Sequence, residues 1–213
     1  MKQLLIFFTL AFFALCSPSK KNDTNKQWIS LFDGKSLADW EASENPSSFS
    51  IENGTIKVHG PRAHLFYQGS VMNHQFKNFE FKASVMTAPG SNSGIFFHTA
   101  YQESGWPSKG YEVQVNNTQS DWRRTGSLYA VQDVKEVYVK DNEWYTEYIK
   151  VEGKRITVKI NDRTVVDYTE PEGIEKNAER KEKRLSSGTF ALQAHDPDSK
   201  VYFKEIWVRP LPE

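Results

Sequence analysis

The sequence predicts an all-β domain, a two-sheet antiparallel jelly-roll sandwich, on three observations. From Trp28 onward the chain is a succession of short segments whose apolar residues recur at every second position, the period of a strand packed on one side. Turn dipeptides such as Asn53-Gly54 and Asn161-Asp162 punctuate them, and apolar residues at helical spacing are nearly absent. The segments amount to about a dozen strands in one domain, which fits two packed sheets.

Residues 1–16, MKQLLIFFTLAFFALC, stand outside that domain. Lys2 precedes an apolar run from Leu4 to Leu15, too short to cross a bilayer as a helix and of the length of a secretory signal. The protein is therefore expected to be exported to the periplasm or cell surface. Cys16 is the only cysteine, so the mature domain forms no internal disulfide. Its place at the end of the run is that of a lipoprotein's lipid-attachment site, which would tether the protein to the outer membrane. Phe13 and Leu15 depart from the usual lipoprotein residues, and the competing reading is ordinary cleavage after Cys16, with Ala14 and Cys16 as its small residues. Lipidation is favoured because the one cysteine falls there. Residues 17–27 are polar and aperiodic, a flexible tether, and 28–213 form the domain.

Within the domain, residues 49–58 read as a hairpin turning at Asn53-Gly54 and residues 155–168 as another turning at Asn161-Asp162. In residues 78–86, Phe79, Phe81, Ala83 and Val85 share one face, and Glu80, Lys82 and Ser84 the other. Further strands are expected at 94–98, 110–116, 128–131, 144–151, 188–194 and 201–208. The charged stretch 174–184 reads as a solvated loop or a short helix.

Lysine plus arginine equals aspartate plus glutamate, 27 each, so no net field draws the chain to nucleic acid, and none is expected as a partner. Aromatic residues make up 14% of the chain, with six tryptophans, which suits a β-rich core and equally the apolar faces of sugars. The sharper signal lies in three strands. Alternation sets Ile95 and Phe97 against Phe96 and His98; Val113 and Val115 against Glu112 and Gln114; Phe190, Leu192 and Ala194 against Ala191, Gln193 and His195. A solvated face without function usually carries Lys, Thr, Ser and Glu. Here the second face carries His98, Glu112, Gln114, Gln193 and His195, which between them donate and accept hydrogen bonds. Taken singly each is an ordinary polar residue; as a set they predict a polar platform.

Six segments, WISLFDGKSLADWEA (28–42), NSGIFFHT (92–99), GYEVQV (110–115), TGSLYAV (125–131), EWYTEYIKVEGKRITVKIND (143–162) and FALQAHDPDSKVYFKEIWVRPL (190–211), occur in this order. Together they resemble the 3-keto-disaccharide hydrolase family, common among secreted bacterial proteins, over nearly the whole mature chain. The resemblance implies a concanavalin-like jelly roll with a concave sheet that receives a saccharide. Carried over by position, its site residues are His98, Glu112, Gln114, Gln193 and His195. At His98 many relatives have arginine, and a largely neutral imidazole supplies no permanent charge there.

An ordinary glycosidase needs two carboxyl groups flanking the scissile bond. The platform offers one, Glu112, with Asp133, Asp196 and Asp198 in loops. A 3-keto sugar relaxes that requirement: the C3 carbonyl acidifies the C2 proton, one base removes it, the enolate expels the C1 group, and water adds to the enone. Glu112 or His195 is the expected base, with Gln114 and Gln193 orienting hydroxyls. A divalent metal is an alternative enolate stabiliser, held by Glu112 and His195, though no compact ligand motif marks one. Residues 195–199, HDPDS, read as a turn rather than a calcium loop.

Around the platform, Trp106 either stacks on a sugar or packs on the rim. Tyr129 either assists proton transfer or holds a structural hydrogen bond, and Arg123 and Arg124 read as a solvated loop pair. Two further readings stay beside the enzyme: a non-catalytic carbohydrate-binding module, and an interaction domain whose platform is incidental.

Overall fold

A computed structural model describes residues 27–177 and 182–213. The signal segment, Cys16, nearly all of the tether and positions 178–181 of the charged stretch lie outside the described residues. Strands run as β1 (Ile29–Ser30), β2 (Trp40–Ala42), β3 (Phe49–Glu52), β4 (Thr55–His59), β5 (Ala63–Tyr67), β6 (Phe79–Thr87) and β7 (Asn92–Thr99). They continue as β8 (Tyr111–Asn116), β9 (Tyr145–Glu152), β10 (Arg155–Ile160), β11 (Arg163–Thr169), β12 (Thr189–Ala194) and β13 (Lys200–Pro210). An eight-stranded sheet has the order β11-β10-β9-β6-β13-β4-β3, with β1 also on β13; a five-stranded sheet has the order β2-β5-β12-β7-β8. Every strand pairing is antiparallel. This is the two-sheet sandwich that the alternation predicts, and both hairpins turn where expected.

The sheets meet through one face of each. Phe79, Phe81, Ala83 and Val85 of β6 and Ile149 and Val151 of β9 face Phe97 of β7, Val113 and Val115 of β8, and Phe190 and Leu192 of β12, all buried. Phe190 is central, its ring 4.7, 4.9 and 4.6 Å from those of Phe76, Phe79 and Phe81. Because β-strand side chains alternate strictly, this packing fixes which residues of the five-stranded sheet face outward.

The structure departs from the sequence expectation at 128–131 and in β5, and it resolves the alternative left open for the charged stretch. Residues 128–131 do not form a strand: Leu128 makes isolated bridges to Val113 and Gln132, and the chain then turns. Of the charged stretch, Ile174–Lys176 forms one 3-10 turn. Strand β5 was not foreseen because both of its faces are buried, Ala63, Leu65 and Tyr67 inward and His64 and Phe66 outward, which erases the polar-apolar contrast.

Replacing Phe190 by alanine leaves a cavity at the junction of four rings and is expected to cost about 3–5 kcal/mol. Urea unfolding measures this, and a loss below about 1 kcal/mol would show that the site relaxes around the deletion.

Candidate active site

Strands β12, β7 and β8 lie side by side, and their outward residues gather as the alternation requires. A cavity of about 260 Å³ is lined by Glu112, Gln114, Gln193, His195, Trp106 and Tyr129, joined by Asn92, Phe96, Pro107, Asp121 and Lys183. Six of the seven residues singled out in the sequence for catalysis or substrate binding are thus brought to one place.

His98 is the exception, and the expectation that it joins the platform is corrected. The register slips between Thr189 and Phe190 where β12 meets β7, and His98 takes a left-handed backbone with φ of 55°. Its ring, buried against Phe79 and Phe97, is fixed at both nitrogens: Nε2 lies 2.9 Å from the Lys77 carbonyl, and the Ser186 N–H donates to Nδ1 at 3.1 Å. Burial pushes its pKa down to about 4, so the imidazole is neutral, with Nε2–H as donor and Nδ1 as acceptor. It anchors a loop and touches no substrate space.

The carboxyl of Glu112 reaches over β7 at Gly94, where any added Cβ would overlap its Oε1. Glycine at 94 is what lets the acid lie flat on the sheet. Gln193 Nε2 donates to Glu112 Oε1 at 3.0 Å, and Gln114 Nε2 donates to Asn92 Oδ1 at 2.9 Å. These bonds fix the amides and leave each with a second N–H for a ligand. Burial raises Glu112 to about 8, against the opposing Gln193 hydrogen bond and the more distant Lys183 ammonium. The acid is therefore protonated at neutral pH.

Opposite it, His195 Nδ1 lies 2.7 Å from Asp196 Oδ2. Asp196 Oδ1 accepts the backbone N–H groups of Asp198 and Ser199, and Oδ2 also accepts the Ser199 hydroxyl, each at 2.9 Å. Partial burial opposes ionisation of Asp196, but the bonds from His195, Ser199 and Asp198 outweigh it and hold the carboxyl below its ordinary range. An ionised acceptor at Nδ1 selects the tautomer whose Nε2 lone pair is free. Residues 195–199 are thus the expected turn, and the turn also orients the histidine.

Trp106 is half-exposed, its ring 5.4 Å from that of His195 and 5.6 Å from that of His64. Tyr129 borders the cavity, and its N–H donates to the Glu112 carbonyl at 3.0 Å. Arg123 and Arg124 are more than a solvated pair. Arg123 packs on the Trp122 and Tyr129 rings and pairs with Asp121 and Asp133, while Arg124 Nη1 donates to the carbonyls of Gln119 and Asp121. Among the described residues no cluster of three or more His, Cys, Asp and Glu could hold a metal ion.

Besides Lys183, which lines the cavity from the charged stretch, three titratable groups carry no assignment from the sequence. His64 stands directly across from Gln193 on β5, and burial pushes its pKa down to about 4. The phase of AHLFY would have revealed it had the strand been recognised. Glu147 lies in the core with neither carboxyl oxygen bonded to protein, and burial, then the Glu112 charge, pushes it well up. Its signal was legible, since Glu147 alternates in phase with Tyr145, Ile149 and Val151. Asp121 enters from an irregular loop that carries no such signal.

Residues 27–209 match the family described as the 3-keto-α-glucoside-1,2-lyase-like domain. No curated protein is similar to the chain in sequence. Among solved structures, a candidate glycosyl hydrolase from Parabacteroides distasonis ATCC 8503 aligns with TM-score 0.72 at 21% identity, covering 87% of this chain and 94% of that one. The carbohydrate-binding module CBM66 from Bacillus subtilis aligns with TM-score 0.56 at 12% identity, over 80% and 95% of the two chains. The exoplasmic/lumenal domain of VIP36, in a Ca²⁺/Man3GlcNAc-bound form, aligns with TM-score 0.56 at 12% identity, over 85% and 87%. At these identities the structural likeness establishes the jelly-roll fold.

A carboxyl whose folded-state pKa is raised binds its proton more tightly in the native state than in the unfolded chain. Its stabilising contribution is full below the ordinary value of 4.5 and is lost as pH rises through about 8. Stability should fall across that window, and Glu112→Gln should flatten the fall by Glu112's own share and by the part of the Glu147 shift that the Glu112 charge supplies, leaving the part that burial gives Glu147. Urea unfolding at a series of pH values measures the difference; parallel profiles for the two proteins would show that Glu112 is not held neutral.

Proposed function

The chain belongs to the 3-keto-α-glucoside-1,2-lyase-like family, and from that premise we propose that it cleaves 3-keto glycosides by elimination between C1 and C2. His195 is the base and Glu112 the acid. The Nε2 lone pair of His195 takes the C2 proton, whose acidity comes from the C3 carbonyl, and the C2–H electron pair passes into an enolate. The enolate collapses to a C1=C2 double bond conjugated with the ketone and expels the C1 oxygen. The Glu112 proton goes to that departing oxygen, leaving a carboxylate and an imidazolium. Amide N–H groups of Gln114 and Gln193 are the donors for the enolate and the ring hydroxyls. Water adding across the enone places hydroxyl on C1 and a solvent hydrogen on C2, which turns elimination into net hydrolysis.

The observation that carries this reading is the pairing, in one cavity, of an Asp196-oriented histidine with a carboxyl kept protonated by burial. Environments that drive two carboxyl groups to opposite protonation states are how one site supplies both acid and base at one pH. A binding module has no use for either. A two-carboxylate glycosidase is less well supported, because the cavity's second carboxyl, Asp121, is held by the Arg123 N–H and guanidinium, Asp196 is spent on His195 and Glu147 is sealed in the core.

Cleavage of a 3-keto glycoside in heavy water tests it. The sugar product should be the enone, or a hydrated 3-keto sugar carrying deuterium at C2 beyond an enzyme-free control, and the simple glycoside without the ketone should be inert. His195→Ala should lower turnover by about 10²–10⁴-fold. Glu112→Gln should be impaired most with poor leaving groups and recover with activated ones. A product retaining its original C2 hydrogen, or rapid cleavage of the simple glycoside, would discard the elimination. Saccharide binding without any cleavage would favour the module instead.

The same proposal places the reaction outside the cytoplasm, supported by the apolar run from Leu4 to Leu15 and by Cys16 at its end. With a lipid on Cys16, Cys16→Ala should move the protein from the membrane fraction to the soluble one; unchanged partitioning would remove the anchor.

A further inference from the structure

A second chamber of about 260 Å³ adjoins the first and shares with it Phe96, Pro107, Glu112, Tyr129 and Lys183. We propose that this second chamber is the aglycone subsite and that it selects a flat, anionic aglycone, an aromatic ring bearing a carboxylate. The inference rests on the elimination reading, because that mechanism requires the departing group to leave from the side of Glu112.

The two linings differ in chemistry. The first chamber adds Asn92, Gln114, Gln193 and His195, groups that suit a hydroxylated ring. The second adds no amide: its further walls are Tyr111, Ala130 and Val131, with Lys109 at the rim. Aromatic and aliphatic walls around a space for one ring reward a flat apolar body. Two lysines around that space reward negative charge on it. Lys183, common to both chambers, stands at the boundary where the glycosidic oxygen acquires charge.

This rim is built into the fold at three points. The Gly110 N–H donates to the Glu182 carbonyl at 3.0 Å, clipping the Lys109 loop to the Lys183 loop. Gly110 has φ of 75°, and a Cβ there would overlap the Phe97 carbonyl oxygen, so glycine alone permits the approach. The Leu185 N–H donates to Glu170 Oε2 at 2.7 Å, and the same oxygen accepts the hydroxyl of Tyr111 at 2.6 Å, tying the lysine loop to the chamber wall. The third tie is the Ser186 N–H to His98 Nδ1. The histidine that left the platform thus holds the loop that carries Lys183.

The test compares 3-keto glucosides of 4-hydroxybenzoate, of its methyl ester and of methanol on the full chain. The ester is the better leaving group, so a preference for the acid reads recognition rather than departure. The acid should be favoured in kcat/KM by about tenfold or more, the scale of one charge-assisted hydrogen bond. Lys109→Ala and Lys183→Ala together should bring that ratio toward one, mainly through KM. Val131→Trp, which fills the chamber, should depress both aryl substrates relative to the methyl glycoside. Equal rates for acid and ester, or a ratio unmoved by the lysine substitutions, would overturn the inference while leaving elimination intact. Failure to cleave even the methyl 3-keto glucoside would instead bring down the elimination reading, and this inference with it.

Discussion

The site depends on Phe190 being held among Phe76, Phe79 and Phe81 between the sheets. That packing fixes the phase of β12, and through its pairing with β5 and β7 it fixes the phase of the neighbouring strands. A one-residue slip would carry Gln193 into the core and expose Phe190 and Leu192, at a cost far above the few kcal/mol by which a domain is stable. Gln193 and the Glu112 it bonds are therefore placed by hydrophobic burial on the opposite face. The chemistry is positioned by residues that take no part in it.

Burial then does a second, electrostatic task. Glu112 lies over Gly94 between Phe96 and Tyr129, where little solvent stabilises a carboxylate, and its proton stays on. Asp196 receives four hydrogen bonds at the end of β12 and stays ionised. Two carboxyl groups, one on the sheet and one in the turn that follows β12, are thus driven in opposite directions, Glu112 by burial and Asp196 by the hydrogen bonds it accepts. Glu147 carries the same physics further: sealed between the sheets with neither carboxyl oxygen bonded to protein, it is pushed well up by burial and then by the Glu112 charge.

The loops answer to a different constraint, since no periodic pattern holds them. Segment 125–129 extends the five-stranded sheet past β8 through bonds such as Gly126 N–H to the Gln114 carbonyl and Tyr129 N–H to the Glu112 carbonyl, which brings Tyr129 beside the acid. The segment at 182–186 is held by Gly110, Glu170 and His98. Each tie satisfies a backbone group that would otherwise be unpaired at a protein surface partly closed to water. The cavity walls are consequently as determined as its floor.

By itself the sequence determined the sandwich, both hairpin turns and the outward phase of Glu112, Gln114 and Gln193, because strand alternation is written in neighbouring residues and needs no knowledge of the partner strand. It also put His195 on the same face and singled out Trp106 and Tyr129 beside it, and the order of its motifs is that of the family to which the chain belongs. Only the tertiary structure decided the rest. His98 keeps the platform phase on paper, but the register slip at Thr189/Phe190 turns it into the protein, and such a slip is a property of two strands together. His64 was hidden because both faces of β5 are covered, Asp196 became the partner of His195 through its turn, and Lys183 was brought to Glu112 by bonds to residues far away in sequence. Local periodicity is readable in one chain; which buried acid keeps its proton, and which loop lies against which strand, is set by long-range contacts that one-dimensional order does not contain.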